Sequence, residues 1–179
     1  MLKSVFVPLP KTPGSLVCSN HRTISLMNHI LKVLFKIILQ CIWHKLLPQI
    51  SEVQYGFMKD RGTRNAIFNI RMLSKRSIEH QQDIYLIFID YKKAFDKVRH
   101  GELFSLLQAI QVDDKDLRIL RSIYVHQRAA AHLPNGVTNW VKTERRVHQG
   151  CIASPDLFSL YEESILRPLD KVPVGVSIN

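Results

Sequence analysis

Apolar residues along this chain fall into runs of two spacings. From Asn28 to about Leu47 they recur at positions 30, 31, 34, 37, 38, 41, 42 and 46, the three-and-four spacing that lines one face of a helix. Pro48 has no N–H to continue the ladder and ends that helix. A second helical stretch covers 64–79, with Ile67, Ile70, Leu73 and Ile78 predicted to point inward. Residues 84–90, "IYLIFID", break this rhythm. They are a continuous apolar run rich in β-branched and aromatic side chains, the pattern of a strand covered on both faces.

Shorter signals fill in the rest. "VFVPL" at 5–9 reads as a strand before the turn "PKTPG". Helices are expected near 100–110 and 114–126, the second capped by Asp113 or Asp114. "RAAAHLPNGVTNWVKTERRV" reads as two strands around Asn135-Gly136, a strong short hairpin signal. In "HQGCIASPDLFSLYEESILRPL" a glycine-containing loop leads into a helix that Ser154 caps and Pro155 opens. After Pro168, "DKVPVGVSIN" looks like the start of a further strand. Helices, a central strand, helices, a hairpin and a helix make the class α+β. One central strand and a hairpin would leave its sheet incomplete.

Charge sharpens this picture. The chain has 179 residues, 46% of them apolar, enough for one domain or for part of a larger one. Its formal net charge is +10, unevenly spread. Residues 1–80 carry 12 Lys/Arg against 3 Asp/Glu, or +9, and residues 81–179 carry 13 against 12, or +1. A basic half joined to a balanced half fits a polyanionic partner such as nucleic acid, and fits equally a skewed solvated surface. Cys18, Cys41 and Cys151 are far apart and form no CxxC pair, so neither a disulfide framework nor a structural zinc is supported, and a reducing compartment is expected. Pro8 and Pro10 interrupt the N-terminal apolar run too early for a signal peptide. Lys32, Lys36, His44 and Lys45 exclude a membrane span from the stretch 30–50. The expectation is a soluble intracellular protein of nucleus or cytoplasm with no membrane partner.

Few residues suggest chemistry unaided. Asp90, at the exit of the predicted strand, reads either as a metal-binding carboxylate held by a rigid element or as the cap of a turn starting at Tyr91. Asp96 lies six residues on, roughly 240° round a helix from Asp90, and reads as a solvated acid among lysines. Gln149-Gly150 pairs an amide with a residue whose missing side chain admits a planar ligand to the backbone. Lys11, Arg22 and Arg64 are isolated cations.

The order of the pieces says more than any one of them. "NHRTISLMNHILKVLFKIIL", "QYGFMKDRGTRNAIFNIRML", "IYLIFIDYKKAFDKV" and "RRVHQGCIASPDLFSLY" resemble, in order and spacing, the reverse transcriptase domain of non-LTR (LINE-type) retrotransposons, from about residue 6 to residue 179. The resemblance implies fingers (about 1–80) and the first part of the palm (about 81–179) of a right-hand polymerase, an incomplete domain. It implies RNA-directed DNA polymerisation with an RNA template, a DNA primer, deoxynucleoside triphosphates and two Mg²⁺ ions. It casts Asp90 as the catalytic, Mg²⁺-binding acid and Phe95 as the bulky residue that excludes a 2′-hydroxyl. Gln149 and Gly150 become the loop against nucleotide and template, and Lys11 and Arg22 the basic finger positions.

The departures from the family pattern are specific. His148 precedes Gln149-Gly150 where the family has Arg, Arg146 stands where it has Gly, and Ala153 where it has Leu. His21-Arg22-Thr23-Ile24-Ser25 replaces a stretch that begins with Tyr, and Asp156 holds a usually apolar or small position. The Tyr-Ala-Asp-Asp hairpin that carries the remaining catalytic acids is expected just after Asn179. The resulting expectation is a partial reverse transcriptase, catalytically incomplete as this chain alone. The alternative is a non-catalytic nucleic-acid-binding remnant or interaction protein.

Overall fold

In the computed structural model, which describes residues 3–15, 17–125, 127–147 and 150–170, the sheet is assembled around β1 (Lys3–Pro10). β2 (His21–Leu26) pairs with it antiparallel from Val5↔Leu26 to Pro10↔His21, and β3 (Arg128–Leu133) pairs parallel along Lys3–Phe6. Proline cannot donate to a ladder, and Pro8 and Pro10 lie beyond the stretch that β3 reaches, where β1 has β2 alone beside it. β4 (Gly136–Val137) and β5 (Val141–Lys142) both pair antiparallel with β3.

The expected hairpin therefore forms. Its corner is Pro134-Asn135, closed by the pair Leu133↔Gly136, and Gly136 takes φ +123°, which a side chain would resist. The returning arm is split at Thr138, whose hydroxyl accepts from Ala131 N while its own N–H donates to Ala131 O. β2 is a strand that the sequence pattern does not announce, because polar and apolar residues alternate too weakly in "HRTISL".

Apart from one short turn before residue 98, the helices sit where the sequence predicts them. They are α1 (His29–Leu46), α2 (Thr63–Glu79), the single turn α3 (Ala94–Lys97), α4 (His100–Ala109), α5 (Asp114–Val125) and α6 (Ser154–Asp170). Asn28 opens α1 by accepting a hydrogen bond from Ile30 N at 2.9 Å, and Pro48 falls in the 3-10 turn Leu47–Gln49 that ends it. Ser154 and Pro155 are the first two residues of α6. Asp113, before α5, accepts from Lys45 Nζ at 2.7 Å and so ties α5 to α1.

One apolar cluster unites α1, α4, α5 and α6. At its centre the Tyr124 ring is fully buried, edge-on to Phe35, His100 and Phe104 at centroid distances of 6.0, 5.3 and 6.2 Å. The buried stripe of α1 is Phe35, Ile38, Leu39, Ile42 and Leu46. Ile30 and Ile37, expected inside, are 78% and 52% exposed, and Cys41 is exposed too. This helix is apolar on more than one side, so two stripes satisfy the spacing, and docking of Phe35 on Tyr124 selects one of them.

Two expectations fail. No residue of α2 is buried: Ile67 and Ile78 are 52% and 79% exposed, and Leu73 is outside as well. Spacing identifies a face that prefers cover, and none of the described elements covers this one. The segment 84–90 is not a strand either. Residues 82–91 are neither helix nor strand, and Tyr85, Ile87 and Phe88 are exposed. A strand exists by its ladder, and none of the described strands pairs with this run. The α+β class stands. The expected strand after Pro168 lies mostly outside the described residues. None of the described helices is long and apolar enough to cross a membrane.

Candidate nucleotide-facing site

Lys11, Arg22 and Phe95, isolated in sequence, line one cavity of about 180 Å³. One wall is the far end of the β1–β2 ribbon. Lys11 N donates to Asn20 O at 2.7 Å across the connection, and His21, Arg22 and Thr23 open β2 beside it. The other wall is α3 and the residues leading into it, with Lys93, Phe95 and Asp96 on the cavity. Lys93 takes the left-handed conformation, φ +57°, and its carbonyl accepts from Asp96 N at 3.0 Å. Among the described residues the lining thus combines three cations, Lys11, Arg22 and Lys93, with a single carboxylate, Asp96.

Phe95 is held by aromatic neighbours. Its ring stacks on Phe158 of α6 at 4.9 Å and meets Phe57 edge-on at 6.0 Å. Its carbonyl accepts from Val147 N at 3.0 Å, and Val98 O accepts from Arg146 N at 2.7 Å, so residues 146–147 run along the back of α3.

Arg146 is the unexpected member of the site. Its φ is +100°, a region that suits glycine, and holding another residue there costs of order 1–3 kcal/mol. The side chain supplies compensating contacts. One guanidinium nitrogen donates to Thr23 O at 2.7 Å and to Thr23 Oγ1 at 2.6 Å, and the group lies over the Phe6 ring, 3.9 Å from its centroid. Nε sits 3.3 Å from Asp96 Oδ1, as an ion pair. Burial lowers the guanidinium pKa and the charge of Asp96 works against that shift. The Arg146 carbonyl also contacts His100 Nε2 at 2.8 Å, and burial depresses the His100 pKa.

Asp96 is therefore not the solvated acid that its lysine neighbours suggest. Only residues 94–97 are helical, so the rotation argument from Asp90 does not apply. The signal that could have found this pair is the arginine at a glycine position. Asp90 itself is exposed, on the segment without strand pairing, and is not among the lining residues. Arg64 is exposed on α2. Gly150 sits against β2: a Cβ there would meet Ser25 O at 3.6 Å and Ile24 Cγ2 at 3.9 Å, ordinary contacts, so its φ of +100° is what favours glycine. His148 and Gln149 lie outside the described residues.

Mg²⁺ needs near-octahedral oxygen ligands, usually including one or two carboxylates. Among the described residues no group of three or more His, Cys, Asp and Glu side chains gathers as a metal site. Asp90 is unsupported and Asp96 is engaged by Arg146, so these residues alone do not fit a two-ion centre.

Asp156, in the first turn of α6, has its carboxyl pKa pushed up to about 6 by burial. The fold thus favours the protonated acid. Stability tied to this group is complete below the ordinary carboxyl value and is lost as pH rises through about 6. Replacing it by asparagine should change the melting temperature little near pH 4. The gain should then grow towards pH 6 and level off above it. Thermal melts of Asp156→Asn beside wild type across that range provide the check, and a pH-independent difference would refute the assignment.

Similarity to known proteins bears on the same residues. A profile of the family described as Reverse transcriptase (RNA-dependent DNA polymerase) matches residues 9–178. The chain is 25% identical over 169 residues to the Retrovirus-related Pol polyprotein from type-1 retrotransposable element R2 of Nasonia vitripennis, covering 94% of this chain and 16% of that protein. It is 27% identical over 174 residues to the Transposon TX1 uncharacterized 149 kDa protein of Xenopus laevis, covering 97% and 13%. It is 23% identical over 161 residues to the RNA-directed DNA polymerase from mobile element jockey of Drosophila funebris, covering 88% and 17%. The chain thus spans no more than about a sixth of the length of these three relatives. With a family match across nearly all of its residues and relatives drawn from such elements, it belongs to the reverse transcriptase family, as a fragment of the domain carried by LINE-type retrotransposon polyproteins.

Proposed function

We propose that this chain forms the fingers and the first part of the palm of an RNA-directed DNA polymerase, and that its cavity receives the phosphates of an incoming deoxynucleoside triphosphate. The observation that carries the reading is the meeting of Phe95 with Lys11 and Arg22, which belong to a ribbon distant from it in sequence, on one small cavity. Flexible ammonium and forked guanidinium groups suit a polyphosphate. In this reading the aromatic ring of Phe95, fixed by Phe158 and Phe57, is the wall that a ribose 2′-hydroxyl would strike. Gln149 and Gly150 lie against nucleotide and template, with Gly150 beside β2. Asp90 is the Mg²⁺-binding acid of the family, and it needs carboxylates beyond the described residues to hold an ion pair. About residues 1–80 contribute the fingers and about 81–179 the first part of the palm, with RNA template and DNA primer as partners.

The test is equilibrium binding of dATP and ATP to the 179-residue chain. Lys11→Ala and Arg22→Ala should each weaken dATP binding by about fivefold, the effect of removing one charge-assisted hydrogen bond near a surface. Phe95→Val should narrow the preference for dATP over ATP. Affinity unchanged in both cation variants would remove the nucleotide from this cavity.

A further inference from the structure

We propose that Arg146 is a positioning residue that makes the cavity receptive to polyphosphate, by neutralising Asp96 from behind and fastening the β1–β2 ribbon to α3. The inference rests on the cavity being a phosphate site, as proposed above, and adds a residue outside its lining. Among the described residues Asp96 is the one carboxylate on a cavity whose other charged or titratable side chains include Lys11, His21, Arg22 and Lys93. Its side chain is 35% exposed, so an anion entering the cavity meets its charge. The Arg146 side chain is only 16% exposed and lies 3.3 Å from that carboxylate. A cation buried on the far side of an acid cancels its field in the cavity without occupying the space a ligand needs.

The same guanidinium reaches the other wall. Its bonds to Thr23 O and Thr23 Oγ1 and its seat over Phe6 attach β2 and β1 to the element that carries Asp96. Arg146 thus spans both walls, and a φ of +100° is maintained for a side chain that does so. Glycine would relieve the backbone, so the backbone alone gives no reason for arginine here. The contacts give one.

Binding of inorganic tripolyphosphate and of dATP, at low salt and neutral pH, tests this with five variants. Lys11→Ala reports on the cavity itself. Arg146→Gly, in which the backbone strain is removed, should bind tripolyphosphate about fivefold or more weaker. Arg146→Gly with Asp96→Asn should recover most of that loss, because the charge that Arg146 cancels has gone, and what stays lost is the share of the fastening to Thr23 and Phe6. A purely structural role would leave the double variant as weak as the single one, and that result would overturn the proposal. Asp96→Asn alone, which frees the Arg146 cation, should bind about twofold tighter or better. Arg146→Lys, which keeps the charge, should lie nearer to wild type than Arg146→Gly. If circular dichroism shows that Arg146→Gly does not fold, Asp96→Asn decides: unchanged or weaker affinity overturns the idea. Lys11→Ala weakening the ligand while Arg146→Gly does not would sink the inference and leave the phosphate site standing. No binding by wild type would sink both.

Discussion

Truncating Phe35 to alanine should cost about 3–5 kcal/mol of folding stability, the usual range for emptying a buried aromatic site. Phe35 has no exposed surface and packs its ring against Tyr124, where α1, α4, α5 and α6 meet. The neighbours are themselves locked: Tyr124 is also edge-on to His100 and Phe104, and His100 is tied to the Arg146 carbonyl. Such a site collapses poorly around a void, and the penalty grows with the cavity left behind. A domain of this size has about 5–15 kcal/mol in total, so the variant should be partly unfolded at physiological temperature. Urea denaturation gives the number. Ile30→Ala on the same helix is the matched control and should change stability by no more than about 0.5 kcal/mol, since Ile30 is 78% exposed. A large loss at Ile30 would mean that its side of α1 is covered too, and a loss at Ile30 without one at Phe35 that the observed stripe does not face the core.

That pair of positions also marks how far the sequence could be read. Helix existence followed from period and from Pro48 and Pro155, because those are local effects that need no knowledge of neighbours. Which side of α1 is buried, and whether α2 or residues 84–90 are covered at all, depends on what packs there. An amphipathic pattern records a preference and not a partner. "IYLIFID" has the composition of a covered strand, yet Tyr85, Ile87 and Phe88 are exposed, with no ladder among the described strands. β2 escaped notice for the opposite reason. Its residues make a weak pattern, and pairing with β1 gives them their conformation.

The site was legible in a different way. Lys11 and Arg22 carry no local signal, and motif order alone connected them with Phe95 before the cavity did. Asp96 reads as a solvated acid because its cationic neighbours in sequence are Lys92, Lys93 and Lys97, whereas its partner is Arg146, 50 residues on. Arg146 in a glycine position was visible as an anomaly. What it grips could not be read until β1, β2 and α3 were in place.

Raising salt from 50 to 200 mM should weaken binding of a primed RNA template by roughly tenfold or more. Neutralising phosphates releases condensed counterions, and that release becomes less favourable as bulk salt rises. The excess positive charge is in residues 1–80, with 12 Lys/Arg against 3 Asp/Glu, and several of these cations stand on α2. Arg64, Arg71, Lys75 and Arg76 are all exposed on that helix, of which no residue is buried, and Lys75 is only loosely paired with Glu79 at 3.7 Å. A helix that leaves its cations open beside an apolar face that none of the described elements covers has the makings of a surface that contacts a phosphate backbone. Binding through phosphates carries no base readout, so duplexes of scrambled sequence should bind about equally well. Arg71→Glu with Arg76→Glu should weaken binding and flatten the plot of log affinity against log salt, by about 0.9 for each phosphate that is no longer neutralised. Fluorescence anisotropy over that salt range measures affinity and slope together. A slope near zero, or one unmoved by the two reversals, would mean that α2 does not carry the nucleic acid.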